Sequence, residues 1–182
     1  MKSLALSTMA LALAFTFNAG AQTTAAKPAP TLRSILLDQL RSTHDKSDWF
    51  VCANVAVANL TPEQANWKDG KGNHSVGQLT YHLVFWNQRA LQNFRGEKPA
   101  KFGGNNDETF DNFDAKQWKD TVQQLDEVMT GIEKAVESAT DAQLAEWAPT
   151  LANISTHNAY HIGEIVMVRK EQGAWDASKG VK

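Results

Sequence analysis

The sequence predicts an all-α chain folded as a four-helix bundle. Apolar residues recur at spacings of three and four through most of its 182 residues, the period of one helix face. Alternating runs long enough to make a half-buried strand are missing. Glycine, proline and asparagine clusters divide the chain into four long segments, the number that a bundle needs. A hydrophobic fraction of 42% supplies a core, and 21% charged residues is ordinary for a globular protein.

The first segment precedes the bundle. Lys2 supplies a positive start, and Leu4 to Phe17 is interrupted only by Ser7, Thr8 and Thr16. That stretch is short for a bilayer span. Ala19-Gly20-Ala21 fits a small-x-small cleavage site with a mature start at Gln22. Residues 1–21 therefore read as an export signal and residues 22–30 as a flexible Pro/Ala-rich leader. Residues 31–175 read as the bundle and residues 176–182 as a C-terminal tail. The expected location is outside the cytoplasm, periplasmic, with no stable membrane anchor once the signal is removed. Cys52 is the single cysteine, so no internal disulfide forms, and its apolar neighbours Phe50, Val51 and Ala53 predict a buried, inert thiol.

Thr31 caps the first helix, whose inner stripe reads Leu32, Ile35, Leu36, Leu40, Phe50 or Val51, and Val55. It stops near Leu60, where Thr61-Pro62-Glu63 begins a short turn. Asp69 to Asn73 is a glycine-rich loop. Ser75 caps a second helix with the stripe Val76, Leu79, Leu83, Trp86, Ala90 and Phe94, ending at Gly96. Residues 96–113 then form a loop unusually long for a compact domain, of the kind that is often functional or wraps across a bundle. Asp114 to Gln117 has the form of a capping box. The third helix carries Trp118, Val122, Leu125, Met129, Ile132 and Val136, the cleanest amphipathic pattern in the chain. Thr140 to Trp147 reads as a helical turn broken at Pro149. The last helix runs from about Leu151 to Glu171 and closes at Gly173.

Charge narrows the function. Eighteen Lys and Arg against twenty Asp and Glu give a net charge of −2, without the basic excess of a protein that neutralises phosphates, so no nucleic-acid partner is expected. Histidine is more informative. His157 and His161 lie one helical turn apart, in the sector that holds Ile154, Ile165 and Val168, and so point inward. His82 on the second helix also reaches the interior. Three inward imidazoles suit a borderline divalent metal such as zinc or nickel and leave a coordination position open for substrate. On spacing alone, an i, i+4 pair reads equally well as solvated or as satisfied core histidines. Asn158 stands where a zinc protease of the HEXXH type needs its general-base glutamate, which disfavours that class.

Two stretches carry a resemblance. Ser75-Val-Gly-Gln-Leu-Thr-Tyr-His82 resembles the second-helix signature of the DinB-like, or YfiT-like, metalloenzymes. His157-Asn-Ala-Tyr-His161-Ile-Gly-Glu164, leading to Arg169, Gly173 and Trp175, resembles their closing signature. The resemblance extends over roughly residues 31–175 and is weak after Gly96. It implies a four-helix bundle holding a divalent metal through His82, His157 and His161, with dimerisation as a further expectation. Some such proteins transfer thiols or isomerise substrates with a thiol cofactor. Because those thiols are chiefly cytoplasmic, export shifts the expectation towards a metal-dependent hydrolase or an unassigned reaction on a small molecule, with a thiol S-transferase kept beside it. A non-catalytic bundle that binds a small ligand or metal is the alternative.

Glu164 departs from the family's usual glutamine and is the candidate acid or base, or the group that orients a ligating histidine. A surface carboxylate is its plainer role. Of the remaining histidines, His44 is expected to be partly exposed, with a substrate contact or fourth ligand as the alternative, and His74 solvated. Trp49, Trp86 and Phe94 are expected in the core, with the wall of a pocket above the metal as the alternative. Arg169 and Lys170 suit the dipole at the end of the last helix.

Overall fold

The computed structural model describes residues 28–180. The proposed signal and most of the leader lie outside the described residues. Four long helices make the bundle: α1 (Leu32–His44), α4 (Val76–Phe94), α6 (Trp118–Ser138) and α7 (Asp141–Glu171). Three short ones, α2 (Ala53–Val57), α3 (Pro62–Asn66) and α5 (Glu108–Asp111), sit in the connections. The long helices close a ring in which α1 packs on α7, α7 on α4, α4 on α6 and α6 on α1. Among the described residues there is no strand, and no helix is long and apolar enough to cross a membrane.

Local chemistry sets the helix starts. Thr31 and Ser34 exchange side-chain and backbone hydrogen bonds in a capping box, and Ser75 and Gln78 do the same for α4. α4 and α7 end in Schellman motifs. Gly96 and Gly173 take the left-handed turns at φ +72° and +73°, which side chains disfavour. The following residues donate back across six positions, Glu97 to the Gln92 carbonyl and Ala174 to the Arg169 carbonyl. The end of α6 lacks such a glycine. There the Arg33 guanidinium reaches over from α1 and donates to the carbonyls of Val136 (2.6 Å), Glu137 (3.0 Å) and Ala139 (2.8 Å).

Five details differ from the sequence expectation. The first helix stops at His44, and residues 45–52 lead without helix into α2. Leu32 and Ile35 are exposed, while Leu36, Leu37, Leu40 and His44 are buried. The inner face of α1 is thus rotated, because Arg33 lies over the end of α6 and carries its helix neighbours outward. Asp114 caps only a 3₁₀ turn, Ala115–Gln117, by accepting from Lys116 N–H, and no capping box forms. Pro149 sits inside α7 instead of ending a helix. It is exposed, as is Ala145, whose carbonyl cannot accept from proline, so the missing bond falls on the solvent side of the helix, where it is least costly. Trp49 is 94% exposed, neither core nor pocket.

α4 and α7 run antiparallel, and polar pairs along their length hold the register. Gln143 Nε2 donates to the Phe94 carbonyl (2.9 Å) at one end. In the middle, Asn87 and Asn158 form a reciprocal amide pair (2.7 and 3.0 Å), with both residues fully buried. Removing one asparagine leaves the other's side chain buried without its cross-helix partner, a loss of about 1–3 kcal/mol, although Asn87 Nδ2 keeps its bond to the Leu83 carbonyl (2.8 Å). Asn87→Ala and Asn158→Ala should therefore each destabilise by at least that much, and the double variant by clearly less than their sum. Strictly additive denaturation free energies would show that the pair is uncoupled.

Candidate metal centre

α4 contributes His82, and α7 contributes His157 and His161. Helical periodicity alone turns all three toward the shared interface, where His82 is 3% and His161 8% exposed and His157 is half-buried. One ring nitrogen from each lies within 4.8 Å of the others. His82 Nε2 stands 3.1 Å from His157 Nε2, and the His161 ring lies edge-on to both, with centroids at 4.6 and 4.5 Å.

Hydrogen bonding fixes which nitrogens are free. The Thr109 hydroxyl donates its one proton to the Asn106 carbonyl (2.6 Å), so it accepts from His82 Nδ1–H (2.6 Å). The lone pair of His82 is then on Nε2, facing the cluster. Glu164 Oε2 likewise accepts from His161 Nδ1–H (2.6 Å), leaving His161 Nε2 as its donor atom. His157 Nδ1 is buried with no hydrogen-bond partner. Asn158, beside it, has its amide committed to Asn87.

Electrostatics favour neutral imidazoles. Burial first, then the charges of His161, His157 and His74, push the His82 pKa down to about 3. Burial and then His161 push His157 down to about 4, with a weak opposing contribution from Asn158. At neutral pH both rings therefore present lone pairs, the state that a metal ligand requires. Two nitrogens on one tetrahedral ion stand about 3.3 Å apart, close to the separation of His82 and His157. These residues fit a divalent cation in both donor chemistry and spacing.

The long connection between α4 and α6 completes the site. Arg89 lies over the rings of Phe85 and Phe102 (5.5 Å each) and donates to the Ala100 carbonyl (2.8 Å), pinning the loop to α4. α5 follows and delivers Thr109 and Phe110. Phe110 stacks on His82 at 3.9 Å and is covered on its other face by His74, also at 3.9 Å. Further on, the Phe113 ring lies so close to Gly77 that a Cβ there would sit 2.2 Å from it, so α4 needs a glycine at that turn. Sequence reasoning missed Thr109 and Phe110. Their only signal is a threonine and phenylalanines, residues 109, 110 and 113, in an otherwise polar loop.

A cavity of about 390 Å³ opens over the three histidines, lined also by Trp86, Asn106, Phe110, Asn153 and Ile154. Trp86 is thus a pocket wall, whereas Phe94 packs in the core against Trp147. Glu164 is not among these lining residues. It lines a neighbouring cavity with His74, Met167 and Glu171, on the far side of His161. Its side chain is 40% exposed. Cys52 is fully buried, as expected.

His44 lies elsewhere and is buried, contrary to expectation. It donates Nδ1–H to Glu133 (2.7 Å) and Nε2–H to Asp126 (3.0 Å), both on α6. Both nitrogens are engaged by carboxylates, so the ring is held between α1 and α6, away from the three-histidine cluster. Burial lowers its pKa, but the bonds to Glu133 and Asp126 and the charge of Glu133 outweigh this, so the net shift is above the ordinary 6.5. A raised histidine pKa stabilises the fold fully below about 6.5, and that stabilisation fades as pH rises through the folded value. The melting temperature should therefore fall above pH 6.5 more steeply for the parent than for His44→Gln. Parallel curves from pH 6 to 9 would contradict the ion pair.

Neither a curated protein nor a solved structure matches this chain. The family model described as the DinB superfamily matches residues 53–166, more than half of the sequence, and spans all three histidines. The chain belongs to the DinB superfamily.

Proposed function

We propose that this protein is an exported metal-dependent enzyme, a hydrolase or transferase acting on a small molecule, with His82, His157 and His161 as the ligands. The convergence of three imidazoles, two with their tautomers fixed by Thr109 and Glu164, carries this reading. The all-nitrogen donor set favours zinc or nickel over magnesium or calcium. Bound there, such an ion supplies Lewis acidity and lowers the pKa of a coordinated proton donor. Thr109 and Glu164 orient two of the rings, and Trp86, Phe110 and Ile154 exclude water from one side of the cavity. Export rests on the pattern of residues 1–21.

Glu164 holds the Nδ1 proton of His161 and reaches solvent through the neighbouring cavity, so it also offers a route for a proton between His161 and the exterior. One observation favours the alternative of a non-catalytic ligand-binding bundle: no carboxylate lines the histidine cavity among the described residues.

Elemental analysis of untagged protein should find about one zinc or nickel per chain, and His161→Ala should lose it while keeping its far-UV helical signal. Retention of full metal by that variant would overturn the ligand assignment. Thr109→Val should weaken metal affinity by about 10- to 100-fold, with Thr109→Ser restoring it. Equal affinity in all three would mean that the hydroxyl does not orient His82. On a panel of esters, amides and thiol-transfer substrates, turnover by the parent that vanishes in His161→Ala marks an enzyme. Ligand binding without turnover marks the bundle as a binding protein. Glu164→Gln then separates its roles, since loss of rate at full metal occupancy assigns it proton transfer, and loss of affinity alone assigns it orientation.

A further inference from the structure

We infer that His74 is a positioning residue for the metal centre, acting through Phe110 to hold the plane of the His82 ring. This rests on the three-histidine reading given above, because it takes His82 Nε2 to be a ligand atom.

The need for such a group comes from the histidine side chain itself. Rotation about the bond that joins an imidazole to its Cβ has a broad profile, so the ring takes its tilt from what touches it. Thr109 accepts from His82 Nδ1–H and so fixes which nitrogen faces the cluster. One hydrogen bond at the ring's edge does not stop the ring from rocking, whereas a flat group against its face does. Phe110 supplies that group, 3.9 Å from His82 and within 7° of parallel. A ring already held in its plane loses less freedom when an ion binds.

Phe110 in turn needs a backing. α5 is a single turn of four residues, too short to hold a side chain in place by its own hydrogen bonds. Gln78 Nε2 donates to the Asp111 carboxylate (3.2 Å), which secures the end of that turn and not the Phe110 ring. His74 covers the second face of Phe110 at 3.9 Å and within 4° of parallel, so three rings lie in one stack with His82 innermost. The chain around His74 is shaped to keep it there. Asp69 accepts from Lys71 N–H (2.8 Å) and from Asn73 Nδ2 (2.7 Å), closing the loop that precedes it. Ser75, the next residue, is fully buried as the cap of α4. His74 lines the neighbouring cavity and not the one over the three histidines, and it is outside the ligand group, so its influence passes through Phe110.

NMR of the imidazoles in the metal-free protein, beside cobalt(II) titration, tests the assignment at about pH 8, where an ordinary histidine is neutral. In the parent, the carbon-bound protons of His82 should carry the upfield ring-current shift of protons held over the Phe110 face. His74→Ala should lose most of that shift and weaken cobalt(II) binding by about 2- to 10-fold, the worth of one aromatic contact. His74→Phe, which keeps a flat ring and removes both nitrogens, should restore shift and affinity, and His74→Leu should restore neither. An unchanged His82 shift and affinity in His74→Ala would overturn the inference. So would failure of His74→Phe to restore them, since the nitrogens and not the stack would then be acting. Absence of cobalt(II) uptake by the parent would overturn the metal reading and the role at a metal centre with it, while the ring shifts report separately whether His74 sets the His82 ring.

Discussion

The register between α4 and α7 is the constraint on which the rest of this structure depends. His82 belongs to one helix and His157 and His161 to the other, so a slip of one residue along either would scatter the nitrogens by an ångström and a half and rotate them apart. Apolar packing is too undirected to prevent that. The Asn87–Asn158 pair is directional, fully buried and adjacent in sequence to one of the histidines. Any slipped arrangement would bury both side chains without their cross-helix partners, a penalty absent from the correct register. The Gln143 bond to Phe94 and the ring contact of Phe94 with Trp147 repeat the alignment at the far end.

Once the helices are in register, the connection between α4 and α6 determines the state of the site. Its aromatic anchor at Phe102 and its close seating of Phe113 on Gly77 place α5 against His82 from the open side. α5 then acts twice, through the Thr109 hydroxyl on His82 Nδ1 and through the ring of Phe110 on its face. Glu164 plays the corresponding part for His161 from within α7. The outcome is that two of the three rings, His82 and His161, carry their protons on the side away from the cluster. Preorganisation of this kind lowers the reorganisation needed when a cation binds.

Two arginines are structural where a surface or functional role could have been assumed. Arg169 is only 6% exposed and has carbonyl partners: Ala56 (2.6 Å), and Ala174 from Nη2 (2.9 Å) and Nε (3.2 Å). Trp175 lies against its guanidinium at 5.1 Å. It ties the end of α7 to α2 by satisfying carbonyls that their helices leave open. Its position near the end of the last helix had indicated only favourable dipole electrostatics, because sequence reveals proximity to a helix end and not what lies across from it. Arg33 plays the same part at the end of α6.

Periodicity and end signals were enough to locate four long helical segments, the starts at Thr31 and Ser75, the exits at Gly96 and Gly173, and the inward direction of His82, His157 and His161, since these are local consequences of 3.6 residues per turn. Tertiary structure alone decided what depends on distant partners. The burial of His44 required Glu133 and Asp126 from α6, and the exposure of Leu32 and Ile35 followed from where α1 sits. Continuity of α7 through Pro149 required that the orphaned Ala145 carbonyl face solvent. Thr109 and Phe110 entered the site by way of a loop whose path no local pattern encodes. Helix direction is written in neighbouring residues, but the distant partner of a buried polar group is chosen by packing across the bundle, as Thr109 is for His82.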